Sequence, residues 1–242
     1  MNERPLRLLH EILNVPAQQT PDKTVAIVEG SAYTYADLDR QSARLAHALR
    51  QQGLQRGDRV AIYMDNTWPC IVSIFGVMRA AGVFVLINPQ TKAEKLHYVL
   101  VDCDAVVLLT DSHLASQFNV ALGTGVSTLK AVICSGKPNR SPALSVALLD
   151  FTEVLSNTSP LIDPLFVNSL DLCCLIYTSG STGNPKGVMH THASTTFVLD
   201  SLLEYLQLNS NDVLLNLLPL AFDYGLYQLF MTVPPGGTLV LE

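Results

Sequence analysis

Charged residues are scarce in this sequence, making up only 15% of its 242 residues. With 48% hydrophobic residues and a mean hydropathy of +0.28, the chain is neither a disordered solvating protein nor a coiled coil, since both depend on charge for solubility. It reads as a chain that buries much of itself or presents apolar surface to another piece. Basic residues are fewer still, 15 against 21 acidic, for a net charge of -6. That balance speaks against general nucleic-acid or anionic-membrane binding, so any anion site must be local.

Cysteine is also sparse. Cys70, Cys103, Cys134, Cys173 and Cys174 are odd in number, contain no CxxC pair and have no zinc-type spacing. They read as free thiols in a reducing compartment. The N-terminus lacks the unbroken apolar stretch of a signal peptide, and a cytoplasmic location is expected. No membrane span is expected either. Cys70 to Ile87 is almost wholly apolar, but Arg79 interrupts it and Gly82 breaks it, so it reads as a buried helix followed by a buried strand.

Set against a usual size of about 150 residues per domain, the length fits one large domain or two small ones. Thr24 to Val28 and Ala32 to Tyr35, separated by Glu29-Gly30-Ser31, predict a hairpin. Thr34 with Asp37 predicts a capped helix running to Gly53. Strands and helices then alternate: strand Val60 to Met64, helix Trp68 to Ala81, strand Val83 to Ile87, helix Lys92 to Val101 and strand Ala105 to Thr110. Thr91 and Glu94 predict a capping box for the helix between the last two strands. A helix near 112–122 and a strand near 129–134 continue the pattern. The fold class is therefore α/β, with layered, mostly parallel sheets and flanking helices.

Between residues 136 and 170, Pro138, Pro142, Pro160 and Pro164 stand among Ser and Asn residues, which predicts a connecting segment. This divides the chain into a first α/β subdomain over about 54–135, the connection over about 136–170, and the start of a second α/β subdomain over about 171–242. The last part is expected to hold strands at 172–177, 188–190, 213–217 and 238–241, with helices at 193–206 and after Asp223.

The sharpest feature follows the strand that ends at Tyr177: Thr178-Ser179-Gly180-Ser181-Thr182-Gly183-Asn184-Pro185-Lys186-Gly187. Glycines let backbone N–H groups approach a ligand, four hydroxyls donate hydrogen bonds, and Lys186 adds a mobile point charge. Together they describe a polyphosphate cradle. It is not a Walker A loop, because Gly follows the lysine, and it is not a dinucleotide fingerprint, because it runs into a strand. A flexible Ser/Gly linker would need neither the lysine nor an apolar strand on each side.

This loop resembles the phosphate-loop signature of the AMP-forming adenylate enzymes: acyl- and aryl-CoA ligases, peptide-synthetase adenylation domains and luciferases. Thr34-Tyr35-Ala36-Asp37-Leu38, Gly57-Asp58-Arg59-Val60-Ala61, Asn66, and the Ala81-Gly82 turn leading to Asn88-Pro89 are similar to that family's N-terminal pattern in order. The resemblance implies that a carboxylic acid attacks ATP to give an acyl-adenylate, and that a thiol, CoA or a carrier protein, then takes the acyl group. It also implies Mg2+ on the phosphates, with no ligand assignable here. By position, Thr178 and Lys186 are implied as catalytic, and Thr178, Ser179, Gly180, Ser181, Thr182, Gly183 and Lys186 as the ATP cradle.

Leu218 to Tyr227 looks like the family's acyl-pocket segment, which makes Phe222, Asp223 and Tyr224 candidate substrate residues. Phe222-Asp223 resembles the Phe-Asp pair of amino-acid-activating domains, whose aspartate meets the substrate ammonium. The alternative for Asp223 is an ordinary helix N-cap. Gly225 departs from the serine common there. His190 and His192 alternate on a strand but lack a third ligand, so no metal is expected at them. Asn66 and Trp68 are expected to open a helix and pack.

Segments that the family carries further along, with its adenine and ribose contacts and a second catalytic lysine, are not found. The chain is expected to be the N-terminal portion of such a ligase, inactive alone, with a non-catalytic nucleotide-binding or interaction module as the alternative.

Overall fold

Hydrophobic runs without alternation produce strands buried on both faces. β4 (Val83–Ile87) and β5 (Ala105–Asp111) are buried at every position, and β3 (Arg59–Tyr63) at all but its first. The computed structural model describes residues 8–137, 146–160, 166–178 and 184–242. Within these, β3, β4 and β5 form the centre of a seven-stranded sheet. They are joined by β6 (Ala131–Ser135), β7 (Ala147–Asp150), β8 (Leu172–Thr178) and β9 (Lys186–Thr191), in the order β7-β6-β5-β3-β4-β8-β9. All neighbours are parallel except β8 and β9.

Alternate residues supply the two faces of this sheet. Val60, Ile62, Phe84 and Leu86 enter one apolar cluster with α2 (Tyr35–Gln51) and α3 (Trp68–Arg79), against which Ala17 of α1 (Asn14–Gln19) packs. Ala61, Tyr63, Val85 and Ile87 enter the other, with α4 (Ala93–Asp102) and α5 (Ala115–Gly123). No helix among the described residues is long and apolar enough to cross a membrane, and Cys70 to Ile87 is α3 followed by β4.

A second sheet has four strands. β1 (Thr24–Val28) and β2 (Ser31–Thr34) form the expected hairpin, with positive φ at Glu29 and Gly30. β1 then pairs in parallel with β11 (Thr238–Leu241), which pairs with β10 (Val213–Asn216). Thr34 caps α2 as predicted: its hydroxyl accepts from the Asp37 N–H, and the Asp37 carboxylate accepts from the Thr34 N–H.

Three expectations change. The Thr91–Glu94 capping box is absent, because α4 is capped at Lys92 without a side-chain bond and the Ala93 N–H donates to Gln117 Oε1 of α5 at 3.0 Å. A tertiary acceptor has replaced the local one. The segment over 136–170, expected to be a connection, contains β7 and then α6 (Phe151–Asn157), whose cap is the Asp150 side chain accepting from the Glu153 N–H. Its Pro138 and Pro142, and Pro164, lie outside the described residues. Finally, β8 and β9, expected to open a second unit, extend the first sheet beside β4, while the hairpin near the start of the chain joins the other sheet. Strand pairing across such separations is set by burial, which composition does not report.

Candidate functional site

β8 is buried from Cys173 to Ile176 and emerges at Tyr177 and Thr178. β9 returns beside it, pairing Tyr177 with Gly187 and Thr178 with Lys186. Directly opposed residues share a face, so the exposed side chains of Thr178 and Lys186 leave the hairpin on the same side. Ser179, Gly180, Ser181, Thr182 and Gly183 lie outside the described residues. Tyr177 donates to the Asp102 carboxylate at the end of α4 and anchors the hairpin base. A Cβ on Gly187 would stand 3.1 Å from the Tyr177 ring, so glycine makes room for that anchor.

The second predicted segment meets the first. A cavity of about 200 Å3 is lined by both Thr178 and Phe222, together with Asn88, Thr91, Lys95 and Ala221. Asn88 follows β4, and Lys95 lies on α4. The Asn88-Pro89 pair was legible as part of a motif, but nothing in the sequence gave Lys95 a place in the site.

Phe222 is 51% exposed and Tyr224 70% exposed, and Asp223 between them is exposed as well. Asp223 is the first residue of α8 (Asp223–Thr232), whose N-cap is Phe222 with no side-chain cap bond. The N-cap alternative for Asp223 is thereby not met, and its carboxylate takes no hydrogen bond among the described residues. Gly225 is dictated by packing: a Cβ there would lie 2.5 Å from the Pro219 carbonyl oxygen and 2.8 Å from that of Leu218. Asn216 holds the same turn, donating from Nδ2 to the Gly225 carbonyl at 2.9 Å.

Asn66 does more than open a helix. Thr67 is the cap of α3, accepting from the Cys70 N–H, while Asn66 Nδ2 donates to the carbonyls of Leu218 and Glu242 and Oδ1 accepts from the Leu220 N–H. It therefore positions the wall segment that carries Phe222. Trp68 does pack, stacked on Tyr33 at 4.1 Å between centroids. His192 opens α7 (His192–Leu206) and is buried, and its Nδ1 accepts from the Leu9 N–H.

Residues 13–242 match the AMP-binding enzyme family over nearly the whole chain. The chain belongs to that family. Among curated relatives, bacitracin synthase 1 from Bacillus licheniformis is 31% identical over 234 residues, covering 96% of this chain and 4% of the relative. Among solved structures, a long-chain-fatty-acid CoA ligase from Rhodopseudomonas palustris superposes with a TM-score of 0.85 at 26% identity, covering 96% of this chain and 56% of that one. The anthranilate CoA ligase AuaEII gives 0.88 at 22% identity, with 100% and 46% covered, and supports the fold. This AMP-binding family member thus spans a small part of the synthase and about half of each ligase. Within the family fold, Thr178 at the end of β8 and Phe222 before α8 line one cavity.

Proposed function

We propose that this chain supplies the ATP- and acid-binding part of an AMP-forming ligase, and that the acid is an α-amino acid. A carboxylate attacks the α-phosphorus of ATP to give an acyl-adenylate and pyrophosphate, and a thiol of CoA or of a carrier protein then takes the acyl group. The observation that supports this reading is the single cavity lined by both Thr178, at the end of β8, and Phe222.

A carboxylate is already ionised near neutral pH, so the step needs stabilisation of the departing pyrophosphate more than it needs a base. The Thr178 hydroxyl and the Lys186 ammonium, opposed across β8 and β9, suit phosphoryl oxygens as a donor and a point charge. Mg2+ would supply further charge neutralisation on the phosphates when bound. Phe222 and Tyr224 offer apolar surface to the acid side chain. Asp223, exposed and without a capping duty, offers a carboxylate to the ammonium of an amino acid. The peptide-synthase relative points the same way. The five buried free thiols favour a reducing compartment, and we place the protein in the cytoplasm on that ground.

The test is calorimetric titration with ATP, together with ATP–pyrophosphate exchange over a panel of amino acids, each paired with its deaminated analogue. Saturable ATP binding without exchange by this chain alone is expected, with amino acids and not their analogues raising its melting temperature. Absence of ATP binding overturns the proposal. Exchange by the chain alone removes the claim that it needs further elements, and equal response to the analogues removes the amino-acid assignment.

A further inference from the structure

The strand order reverses at β3, which has β4 on one side and β5 on the other. The chain runs from β3 outward to β4, then crosses back to β5 and continues outward through β6. Loops leaving the carboxyl ends of β3 and β5 therefore part in opposite directions and leave a crevice between them. Asp65 follows β3, Asp111 ends β5, and His113 comes two residues later. One ligand atom from each lies within 4.8 Å of the other two, and His113 Nε2 is 2.7 Å from Asp65 Oδ2.

Asp111 shows that this is more than a surface ion pair. It is only 5% exposed, and its Oδ2 accepts from the Asp65 N–H at 2.9 Å. Its other oxygen takes no hydrogen bond among the described residues. The three residues line one cleft of about 660 Å3, whose lining also includes Glu29 and Ser135.

We propose that Asp65, Asp111 and His113 bind one divalent transition-metal ion of the zinc or manganese class. One imidazole and two carboxylates suit such ions, whereas soft copper(I) would call for sulfur and calcium for oxygen alone. Bonds of about 2.0–2.2 Å would draw the three ligand atoms inward, replace the His113–Asp65 contact and neutralise Asp111. None of the three residues lines the Thr178–Phe222 cavity, which shares only Asn88 with this cleft. The site's neighbour is Asn66, which holds Leu218 and Leu220, and a bound ion would stiffen that support.

The test titrates the full chain with Co2+ by visible absorption and with Zn2+ and Mn2+ by calorimetry, without nucleotide. One-to-one binding of at least one ion, and a cobalt spectrum without thiolate charge transfer, are expected. His113→Ala should weaken binding on the order of 10–100-fold. In metal-free buffer its melting temperature should be unchanged, since the His113 side chain is 57% exposed. Asp65→Asn should weaken binding as well while keeping the backbone donor to Asp111. No saturable binding of any of the three ions, a thiolate-type cobalt spectrum, or equal affinity in His113→Ala overturns the proposal.

Discussion

The imidazole of His192 accepts a hydrogen bond from the backbone N–H of Leu9 at 3.0 Å, tying the first turn of α7 to a residue 183 positions earlier. The ring can accept there only while Nδ1 is unprotonated. His10 packs edge-on against it with centroids 5.9 Å apart. Burial lowers His192 to about 4 and His10 to about 3, the latter helped by the charges of His192 and Arg79.

Both histidines thus favour the neutral form in the folded state more than in the unfolded chain, whose value is 6.5. Their contribution to stability is present above about 6.5 and is lost as the pH falls toward 4, because the unfolded state then binds more protons. Asp111 acts with the opposite sign, contributing at low pH and losing that contribution as the pH rises through about 6. Denaturant midpoints between pH 4 and 7.5 should fall on the acid side, and His192→Gln should flatten that fall. An unaltered acid limb in the variant contradicts the assignment.

Lys186→Ala should weaken ATP and pyrophosphate binding about tenfold or more while shifting stability by under about 0.5 kcal/mol, since Lys186 is exposed. Calorimetry and thermal melts read the two quantities separately. Lys186→Arg keeps the charge and should recover part of the affinity.

Asn66→Ala leaves the Leu220 N–H and the Leu218 carbonyl without their partner. Lost and unsatisfied hydrogen bonds of this kind cost about 1–3 kcal/mol. The urea midpoint should drop accordingly, and protease cleavage within 217–224 should quicken. Asn66→Asp, which can accept from Leu220 but cannot donate to Leu218, should fall between the two.

Gly225→Ser restores the residue common in amino-acid-activating domains, but its Cβ would press on the Pro219 carbonyl at 2.5 Å. Overpacking against backbone costs about 1–3 kcal/mol, so the variant should melt lower. Asp223→Ala should leave the melt unchanged, as its carboxylate caps nothing, and should reduce only the response to amino acids.

Thr34→Ala removes the side chain that accepts from the Asp37 N–H. The loss should be about 1 kcal/mol, the usual cost of deleting an N-cap, read from chemical denaturation. Thr34→Ser should restore most of it.

Features fixed within a few residues were legible before the structure. Thr34 and Asp37 announced their cap, Glu29-Gly30 its turn, and the unbroken apolar runs of β3, β4 and β5 their double burial. The run from Thr178 to Gly187 stood out by its glycines, hydroxyls and one lysine after a buried strand, and its residues 179–183 lie outside the described residues. Thr91-Glu94 misled because Gln117 competes for the same amide from another helix. Asp150-Phe151 was obscured because neighbouring prolines dominate the composition of its segment.

The sequence by itself determined the alternation of strands and helices, the family, and the residue types that can meet phosphate and acid. Tertiary structure alone decided that Val28 lies beside Leu241, that Thr178 and Phe222 share a cavity, and that Asp65, Asp111 and His113 converge. The physical reason is the range of the forces. Caps and turns close over three or four residues, whereas parallel pairing and cavity formation depend on which distant apolar faces exclude water together.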